Sequence, residues 1–417
     1  MTATMSSVVY DDDEAPVEPP PAHASRNGVL VLNAHCEYPA VPNVSESMLA
    51  GAKLVQVKRV MGPWPSVVEA FQASGASTNV RAGLEEAAKV LGGCLHWNDV
   101  AAMILVSDGH ESCVVPQFFY SLNSARRTPV HTFGLGSGVD AAAMHSISEV
   151  TGGTFSFIED LAGIQDALAQ CIAGLLSVSG KDSKVEIECS INPVNDDVIN
   201  VTAVKSGRYK NGLERPYDQT WVYVGELYAD EERRILQPVD VELADVDIYV
   251  EIERPVEVKP TDMARCKEVE RQLLRVAAAE DMDLTREAAE RGAHAEAAWI
   301  LDARRESLSR SAAALSGDAM CTALVAELHE LSRRVSGERE YRKTGRACFL
   351  ASMSSHALQR GSSSVRFGCV DSSVFATPAM QRMEKLSVMM RKRQEAAPPL
   401  QENGRKTTVP RRSRLEP

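Results

Sequence analysis

The stretch MILVSDGHES, residues 103–112, decides the fold class, because an apolar run stops abruptly at Ser107-Asp108-Gly109. Two further apolar runs, PVHTFGLG at 129–136 and GTFSFI at 153–158, follow it with a helical pattern between them. Strands that alternate with helices predict a parallel sheet covered on both faces. We therefore expect Asp108 at the carboxyl end of a buried strand, the edge where doubly wound sheets bind ligands.

Length and charge exclude several classes of protein. The 417 residues, 44% of them apolar, suffice for two or three domains with their own cores. A net charge of -12 disfavours nonspecific attraction to nucleic acid and to anionic membranes. No apolar run approaches the length of a membrane span, and the acidic start is the reverse of a signal peptide. We expect a cytoplasmic location, with nuclear import through the basic tail as the alternative.

The nine cysteines occur singly, and none forms the C-x2-C pair that a zinc ribbon or RING module needs. Composition divides the rest of the chain into segments. The predicted segments are a disordered acidic and proline-rich lead at 1–27, a strand segment expected to join a β-module at 28–42, an α/β domain at 43–178, a β-sandwich-like module at 183–258, a helical region at 262–340, and a partly disordered basic tail at 341–417.

Hydrophobic periodicity gives the expected elements within these segments. The amphipathic stretch MLAGAKLVQVKRVM at 48–61 predicts a helix, and so does NVRAGLEEAAKVLGG at 79–93. Between 183 and 255 the period falls to two, which indicates antiparallel strands. Because residues 28–38 alternate in the same way, we expect them to pair with those strands, so that the α/β domain is inserted into the β-module.

The helical region is expected to bury one face of each helix. Helical spacing selects the buried positions Leu273, Leu274, Trp299, Ile300, Leu324 and Leu328. The charged stretch GELYADEERR at 225–234 is interpreted as a solvated loop, with a docking surface as the alternative. GLGSG at 134–138 is interpreted as a strand-to-helix turn, because it departs from the dinucleotide-binding spacing at Val139. His131 and His145 are expected to make local polar contacts.

Several longer motifs resemble a known family. STNVRAGLEEAAKVL, ILVSDG and VHTFGLGSGVDAAAMHSISEVTGGTFSFIED, followed by KSGRY and VGELYADEERR, resemble the von Willebrand factor A domain. Within that family they are most similar to plant proteins related to the wavy-growth type of RING ubiquitin ligase. The resemblance covers most of residues 28–385. It implies a partial doubly wound (Rossmann-like) von Willebrand A sheet inserted in a β-sandwich-like module and followed by an α-helical C-terminal region.

The resemblance also implies a metal-ion-dependent adhesion site, in a degenerate form. Its positions carry over onto Asn43, Ser45, Ser47, Thr78 and Asp108. Asn43 replaces a carboxylate, which removes charge that a divalent cation needs. The segment YPAVPN before it holds two prolines, so that the strand leading into the loop is missing. Either the domain has lost its first strands or the sequence derives from a gene model that skips coding segments.

The resulting functional hypothesis is a non-catalytic protein-protein interaction protein that needs no cofactor. One alternative is an Mg²⁺-dependent ligand-binding A domain. Another is an accessory or substrate-recruiting relative of a ubiquitin ligase that lacks the RING and associates with full-length family members. The partners are expected to be proteins, and neither nucleic acid nor a membrane. Enzymatic chemistry is not expected, because no nucleophile elbow accompanies the neighbouring Ser107, Asp108 and His110.

Overall fold

The computed structural model describes residues 29–36, 47–58, 80–93, 100–109, 128–160, 163–188, 198–201, 203–214, 219–242, 266–361 and 374–396, and structural statements below refer to these ranges. Their strands are β1 (Val29–Cys36), β2 (Ser47–Lys58), β3 (Met103–Ser107), β4 (Val130–Leu135), β5 (Phe155–Ile158), β6 (Val178–Glu188), β7 (Val198–Val201), β8 (Lys210–Glu214), β9 (Gln219–Tyr228) and β10 (Glu232–Glu242).

The helices of the same ranges surround these strands. They are α1 (Val80–Gly93), α2 (Ala141–Thr151), α3 (Ile164–Leu176), α4 (Lys267–Glu290), α5 (His294–Ser309), α6 (Ala312–Leu315), α7 (Ala319–Val335), α8 (Glu338–Glu340), α9 (Arg346–Leu358) and α10 (Pro378–Ala396), with a π-helical turn at Tyr341–Gly345 between α8 and α9. Within the described ranges, no helix combines the length and the apolar character needed to cross a membrane.

The parallel α/β unit contains a three-stranded sheet in the order β3-β4-β5. Met103 is paired with Val130, and Thr132 with Phe155. The chain alternates between strand and helix here, since α2 connects β4 to β5 and α3 follows β5. This is an α/β fold with a parallel sheet, as the apolar runs predicted.

The two faces of the parallel sheet are covered differently. Phe155 and Phe157 point to the face that carries α2 and the C-terminal helices, while α1 packs near Val130 on β4. Phe133 and Ile158 contact α3 on the opposite face. On β3, alternate residues Ile104 and Val106 are 38% and 41% exposed. The expected fully buried strand is therefore only half buried, because α3 covers β4 and β5 and leaves β3 uncovered.

There are also two antiparallel sheets, and the first of them uses strands from both sides of the α/β unit in sequence. One has the order β1-β2-β10-β7 and the other the order β6-β9-β8. The direct partner of β1 is β2, with Val29 opposite Lys58, and β10 pairs with the other side of β2. The segment at 29–36 is thus a strand outside the parallel sheet, but it does not pair directly with a strand of 183–255 as expected, because β2 lies between it and β10.

The prediction of a helix at 48–61 was wrong. Residues 47–58 form strand β2, which pairs with β1 on one side and β10 on the other. The apolar spacing there is compatible with both periods, and Gly51 lies within it. Pairing on two sides supplies backbone hydrogen bonds that outweigh the weak helical preference.

The C-terminal helices α4 to α9 pack around a core shared with the α/β unit. That core includes Met282, Leu301, Leu328 and Phe349 from the helices, together with Phe155 from β5. Of the positions expected to be buried, Leu324 and Leu328 are buried, whereas Leu273, Leu274 and Ile300 are partly exposed.

Trp299 is 69% exposed, so the prediction that it is buried was wrong. Helix α5 buries Ala297, Leu301 and Leu308 against its neighbours, and these positions define one helical face. Residue 299 lies two positions beyond Ala297, which puts it about 200° around the helix. The chain therefore exposes this indole on the side opposite the packed face.

Part of the tail at 341–417, which was expected to be partly disordered, is helical within the described ranges. Residues 346–358 form the buried helix α9, and 378–396 form α10 against α3. The serines that suggested disorder are bonded inside the core: Ser352 Oγ donates to Glu327, and Phe155 N donates to Ser354 Oγ at 3.0 Å. Residues 397–417 lie outside the described ranges, as do residues 1–27 of the expected lead.

Candidate functional site

The carboxyl edge of the parallel sheet brings the ends of β3 and β4 together. Asp140 N donates to the carbonyl oxygen of Gly109 at 3.3 Å, so the loops after the two strands touch. An added Cβ on Gly138 would lie 3.0 Å from the carbonyl oxygen of Asp108. Asp140 caps α2 by accepting a hydrogen bond from Ala143 N at 3.1 Å. GLGSG is thus a strand-to-helix turn, with Gly136 at a φ of 63°.

Asp108 lies exposed at this edge, directly after β3. Within the described ranges its side chain makes no hydrogen bond or ion pair. Of the other predicted metal positions, the structure describes only Ser47. Ser47 begins β2 opposite Val241 in the four-stranded sheet, while Asn43, Ser45 and Thr78 lie outside the described residues. In the described part of the chain, no cluster of three or more His, Cys, Asp or Glu side chains could hold a metal ion.

Strand β3 is also the outer strand of the parallel sheet as far as the described residues go. Its outward backbone groups have no strand partner there. Ile104 and Val106 present two apolar side chains on the same face, since residues two apart in a strand point the same way. The outer edge of β3 therefore has backbone groups without a strand partner in the described ranges, next to exposed apolar side chains. Asp108 follows the last residue of this strand.

A cavity of about 620 Å³ lies where the α/β unit, the antiparallel strands and the helices meet. Its walls come from α2, from the segment at 204–208 before β8, and from α4 and α9. The turn at Gly207 is held against α9, because Arg208 N donates to the carbonyl oxygen of Ala357 at 3.0 Å. The sequence did not single out this location, because its residues come from four separate segments.

Four ion pairs line the cavity. Lys205 contacts Glu280 at 2.7 Å, and Arg208 contacts Glu149 at 3.3 Å. The other two pairs are Arg286 with Asp283 at 3.1 Å and Arg346 with Glu290 at 2.7 Å.

Arg275 is the fifth cation of the cavity, and only 3% of it is exposed. Its Nε donates to Gln272 Oε1 at 2.8 Å, and its Nη1 donates to the carbonyl oxygen of His356 at 3.1 Å. Neither acceptor carries a charge. Burial lowers the pKa of Arg275 to about 10, with nearby Arg234 adding to the effect, so the guanidinium stays charged at neutral pH. The sequence did contain one indication of a buried arginine. Gln272, Arg275 and Ala278 are spaced so that they lie on one face of α4, and that face is buried.

His145 faces Arg208 at the rim of the cavity. Arg208 Nη2 and His145 Nε2 are 2.6 Å apart, so the histidine ring accepts the hydrogen bond in its neutral form. Burial, together with the charges of Arg208 and Arg286, lowers the pKa of His145 to about 3. Nδ1 of His131, on β4, lies 2.9 Å from Oγ1 of Thr154, just before β5. Both histidines make polar contacts, but the partner of His145 comes from a distant segment of the chain.

The stretch GELYADEERR is not a solvated loop. Glu231 and Arg233 are buried, and Arg360 Nε donates to Glu231 Oε1 at 2.9 Å. The guanidinium of Arg360 also lies 3.8 Å from the centre of the Tyr228 ring. The charges that suggested solvent exposure are instead neutralised by an arginine from the end of α9, a partner that sequence proximity could not indicate.

Comparison with known proteins gave one family model and two solved structures. The model Vwaint, described as VWA / Hh protein intein-like, matches residues 318–388. The von Willebrand factor type A from Catenulispora acidiphila is 10% identical with a TM-score of 0.49, over 77% of this chain and 97% of that chain. The ArnB paralog VWA2 from Sulfolobus acidocaldarius is 10% identical with a TM-score of 0.35, over 78% and 99%. No curated protein matches the chain.

The Vwaint match falls on α7 to α10. Helix α9 of this segment packs on α2 and β5 of the parallel unit. The match supports a von Willebrand A-like domain.

Proposed function

We propose that this chain is a non-catalytic protein-interaction protein, and that a partner binds along the open edge of β3. The observation that carries this proposal is the exposure of Ile104 and Val106 on the outer strand of the parallel sheet. Parallel sheets are ordinarily covered on both faces, and unpaired strand edges are sites where another chain can add a strand.

The chemistry of the edge specifies the partner. Backbone groups of β3 supply hydrogen bonds for an added strand, while Ile104 and Val106 favour apolar side chains at alternate positions. Asp108, exposed at the end of the strand, favours a basic residue beside it. The proposed occupant is therefore an extended segment of another protein, with two alternate apolar residues and a lysine or arginine beyond them.

A peptide-display selection on the purified full chain tests the proposal. The enriched peptides should carry the alternating apolar pattern, and their affinity is measured by fluorescence anisotropy. Val106→Lys should weaken binding by about tenfold or more, since it places a charge against the apolar segment. Leu176→Lys is the matched control, because Leu176 on α3 is 37% exposed and lies outside the edge. Failure to enrich any such peptide, or equal losses in the two variants, would refute the proposal.

The Mg²⁺-dependent alternative is favoured by one feature, the exposed carboxylate of Asp108 without a side-chain partner in the described ranges. Mg²⁺ needs near-octahedral oxygen ligands, and Ser47 belongs to β2 in the other sheet. We therefore expect thermal unfolding with millimolar Mg²⁺ and with chelator to coincide, because a ligand that binds the native state raises the melting temperature. A metal-dependent rise that disappears in Asp108→Ala would establish the alternative instead.

A relation to ubiquitin ligases is the third hypothesis, supported by the sequence resemblance alone. In this hypothesis the A-like unit is inserted in the β-module, and the chain recruits substrate or associates with full-length, RING-bearing relatives in the cytoplasm. Co-expression with such a relative, followed by size-exclusion chromatography, tests it. Separate elution of the two proteins at micromolar concentration would argue against the association.

A further inference from the structure

The cavity between α2, α4, α9 and the 204–208 segment has an unbalanced charge. Four of its five cations face four carboxylates at 2.7 to 3.3 Å. Arg275, the fifth, contacts only an amide oxygen and a backbone carbonyl oxygen. Among the described lining residues, the surplus is therefore one positive charge, in a place where burial makes an uncompensated charge costly.

Several arginine donors in the cavity wall lack acceptors. Arg208 Nη1 and Arg286 Nε are buried without a hydrogen-bond partner among the described residues. The hydrogen bonds that Arg275 makes with the described residues engage Nε and Nη1, which leaves Nη2 without an acceptor there. Buried donors are nearly always satisfied in native proteins, so these two buried groups beside Arg275 indicate an acceptor that the described residues do not supply.

Besides its charged residues and the polar Ser206, His145 and His356, the wall of the cavity is apolar. It includes Ala142, Val276, Ala279, Leu350 and Met353. A volume of about 620 Å³ lies within the ordinary range of small-molecule sites, which combine apolar walls with a few placed polar groups.

From this charge count and these donors we infer that the cavity binds a small organic monoanion, a carboxylate carried on an apolar chain. The carboxylate pairs with Arg275, and the chain lies along Leu350 and Met353. A carboxylate brings one negative charge, which balances the surplus, whereas a phosphate monoester brings nearly two. Planar guanidinium groups bind carboxylates through paired hydrogen bonds, which suits an arginine in this position.

Such a ligand contacts all three parts of the molecule at once. The cavity walls come from α2 of the parallel unit, the 204–208 segment of the antiparallel part, and the helices α4 and α9. Binding therefore strengthens the docking of these parts, and it does so independently of the β3 edge on the parallel sheet.

Isothermal titration of the full-length chain with octanoate tests the inference, with octyl phosphate and octylammonium as companion probes. Octanoate should bind, octyl phosphate should bind more weakly, and octylammonium should not bind. Arg275→Met should weaken octanoate binding by about tenfold or more, because it removes a charge-assisted hydrogen bond. Arg310→Met, an exposed arginine at the end of α5, is the matched control and should leave the affinity unchanged.

A second variant keeps the test decisive if Arg275→Met does not fold. Ala279→Phe places a ring in the cavity and retains every charged group, so it should also abolish octanoate binding. Absence of octanoate binding to the wild-type chain, or undiminished binding to the variant that folds, overturns the inference. Tighter binding of octyl phosphate overturns the assignment to a carboxylate, and equal binding of octylammonium overturns the role of charge.

Discussion

Glu231 lies buried between Arg233 and Arg360, with a distance of 2.5 Å to Arg233 Nη2 and 2.9 Å to Arg360 Nε. Burial by itself raises the pKa of this carboxyl, but the two arginines outweigh burial and hold the pKa below its ordinary value of 4.5. Its stabilising contribution is therefore present above pH 4.5 and is lost as the pH falls through the lowered value.

The first prediction concerns this carboxylate. Glu231→Gln should lower the free energy of unfolding by about 3–5 kcal/mol, because it leaves two buried arginines without a counter-charge. Urea denaturation measures the loss. Glu306→Gln is the control, since it removes an exposed partner of Arg310 and should cost nothing measurable. A loss as small as that of the control would show that Glu231 does not hold the arginines in place.

The second prediction concerns His131, which is buried beside Thr154. Burial, together with the charge of Arg360, lowers its pKa from 6.5 to about 3. Between these two values the unfolded chain binds a proton that the folded chain does not, so stability falls on acidification by about 1.4 kcal/mol per pH unit. Urea titrations at pH 7, 6 and 5 should give a flatter dependence for His131→Gln than for the wild type.

The control for the histidine prediction is His329→Gln, which replaces an exposed histidine on α7. It should leave the pH dependence of the free energy of unfolding as it is in the wild type. Equal slopes in all three proteins would mean that His131 does not contribute to the acid sensitivity.

At the scale of elements, the turn at Gly207 fixes how the antiparallel strands dock on α9. Gly207 has a φ of 73°, and an added Cβ would lie 2.2 Å from the carbonyl oxygen of Ala357. Gly317 has a similar φ of 78° but has nothing within 4 Å of an added Cβ. Alanine at Gly317 would introduce backbone strain alone, whereas alanine at Gly207 would introduce the same strain and a steric clash.

The third prediction uses this pair. Gly317→Ala should cost about 1–2 kcal/mol, the penalty for a left-handed residue with a side chain. Gly207→Ala should cost clearly more, because the strand segment must also move away from α9. Urea denaturation of the two variants gives the difference, and equal losses would mean that the turn does not contact α9 closely.

Elements also show why local patterns misled. Residues 47–58 carry apolar spacing that suits a helix, yet strands β1 and β10 on both sides make them a strand. Helix α9 carries serines that suggested disorder, yet Ser352 and Ser354 form hydrogen bonds with Glu327 and with the backbone of Phe155 inside the core. In both cases the segment packs against residues that are distant in sequence, so its local sequence pattern does not predict its structure.

At the scale of the whole molecule, the parallel unit and the C-terminal helices share one core. Phe155 and Phe157 from β5 belong to the same cluster as Met282, Leu328 and Phe349. Because neither part buries these side chains alone, we expect the two parts to unfold together.

The fourth prediction tests this shared core. Phe349→Ala should lower the free energy of unfolding by about 3–5 kcal/mol, since it leaves a cavity at a fully buried ring. Hydrogen exchange should then accelerate in β5 as well as in α7 and α9. Trp299→Ala, which truncates an exposed ring, should leave exchange in all three elements unchanged. Faster exchange confined to the helices would contradict a common core.

The sequence alone determined the parallel α/β unit and the place of Asp108 at the end of β3. Apolar runs, the helix between them and the turn at Gly136 are local features, so neighbouring residues suffice to predict them. Tertiary structure alone decided that β3 is uncovered at Ile104 and Val106, that Glu231 meets Arg360, and that Arg275 lines a cavity without a counter-charge. These features depend on which distant segments pack together, because burial and charge compensation belong to the assembled surfaces and not to any one segment.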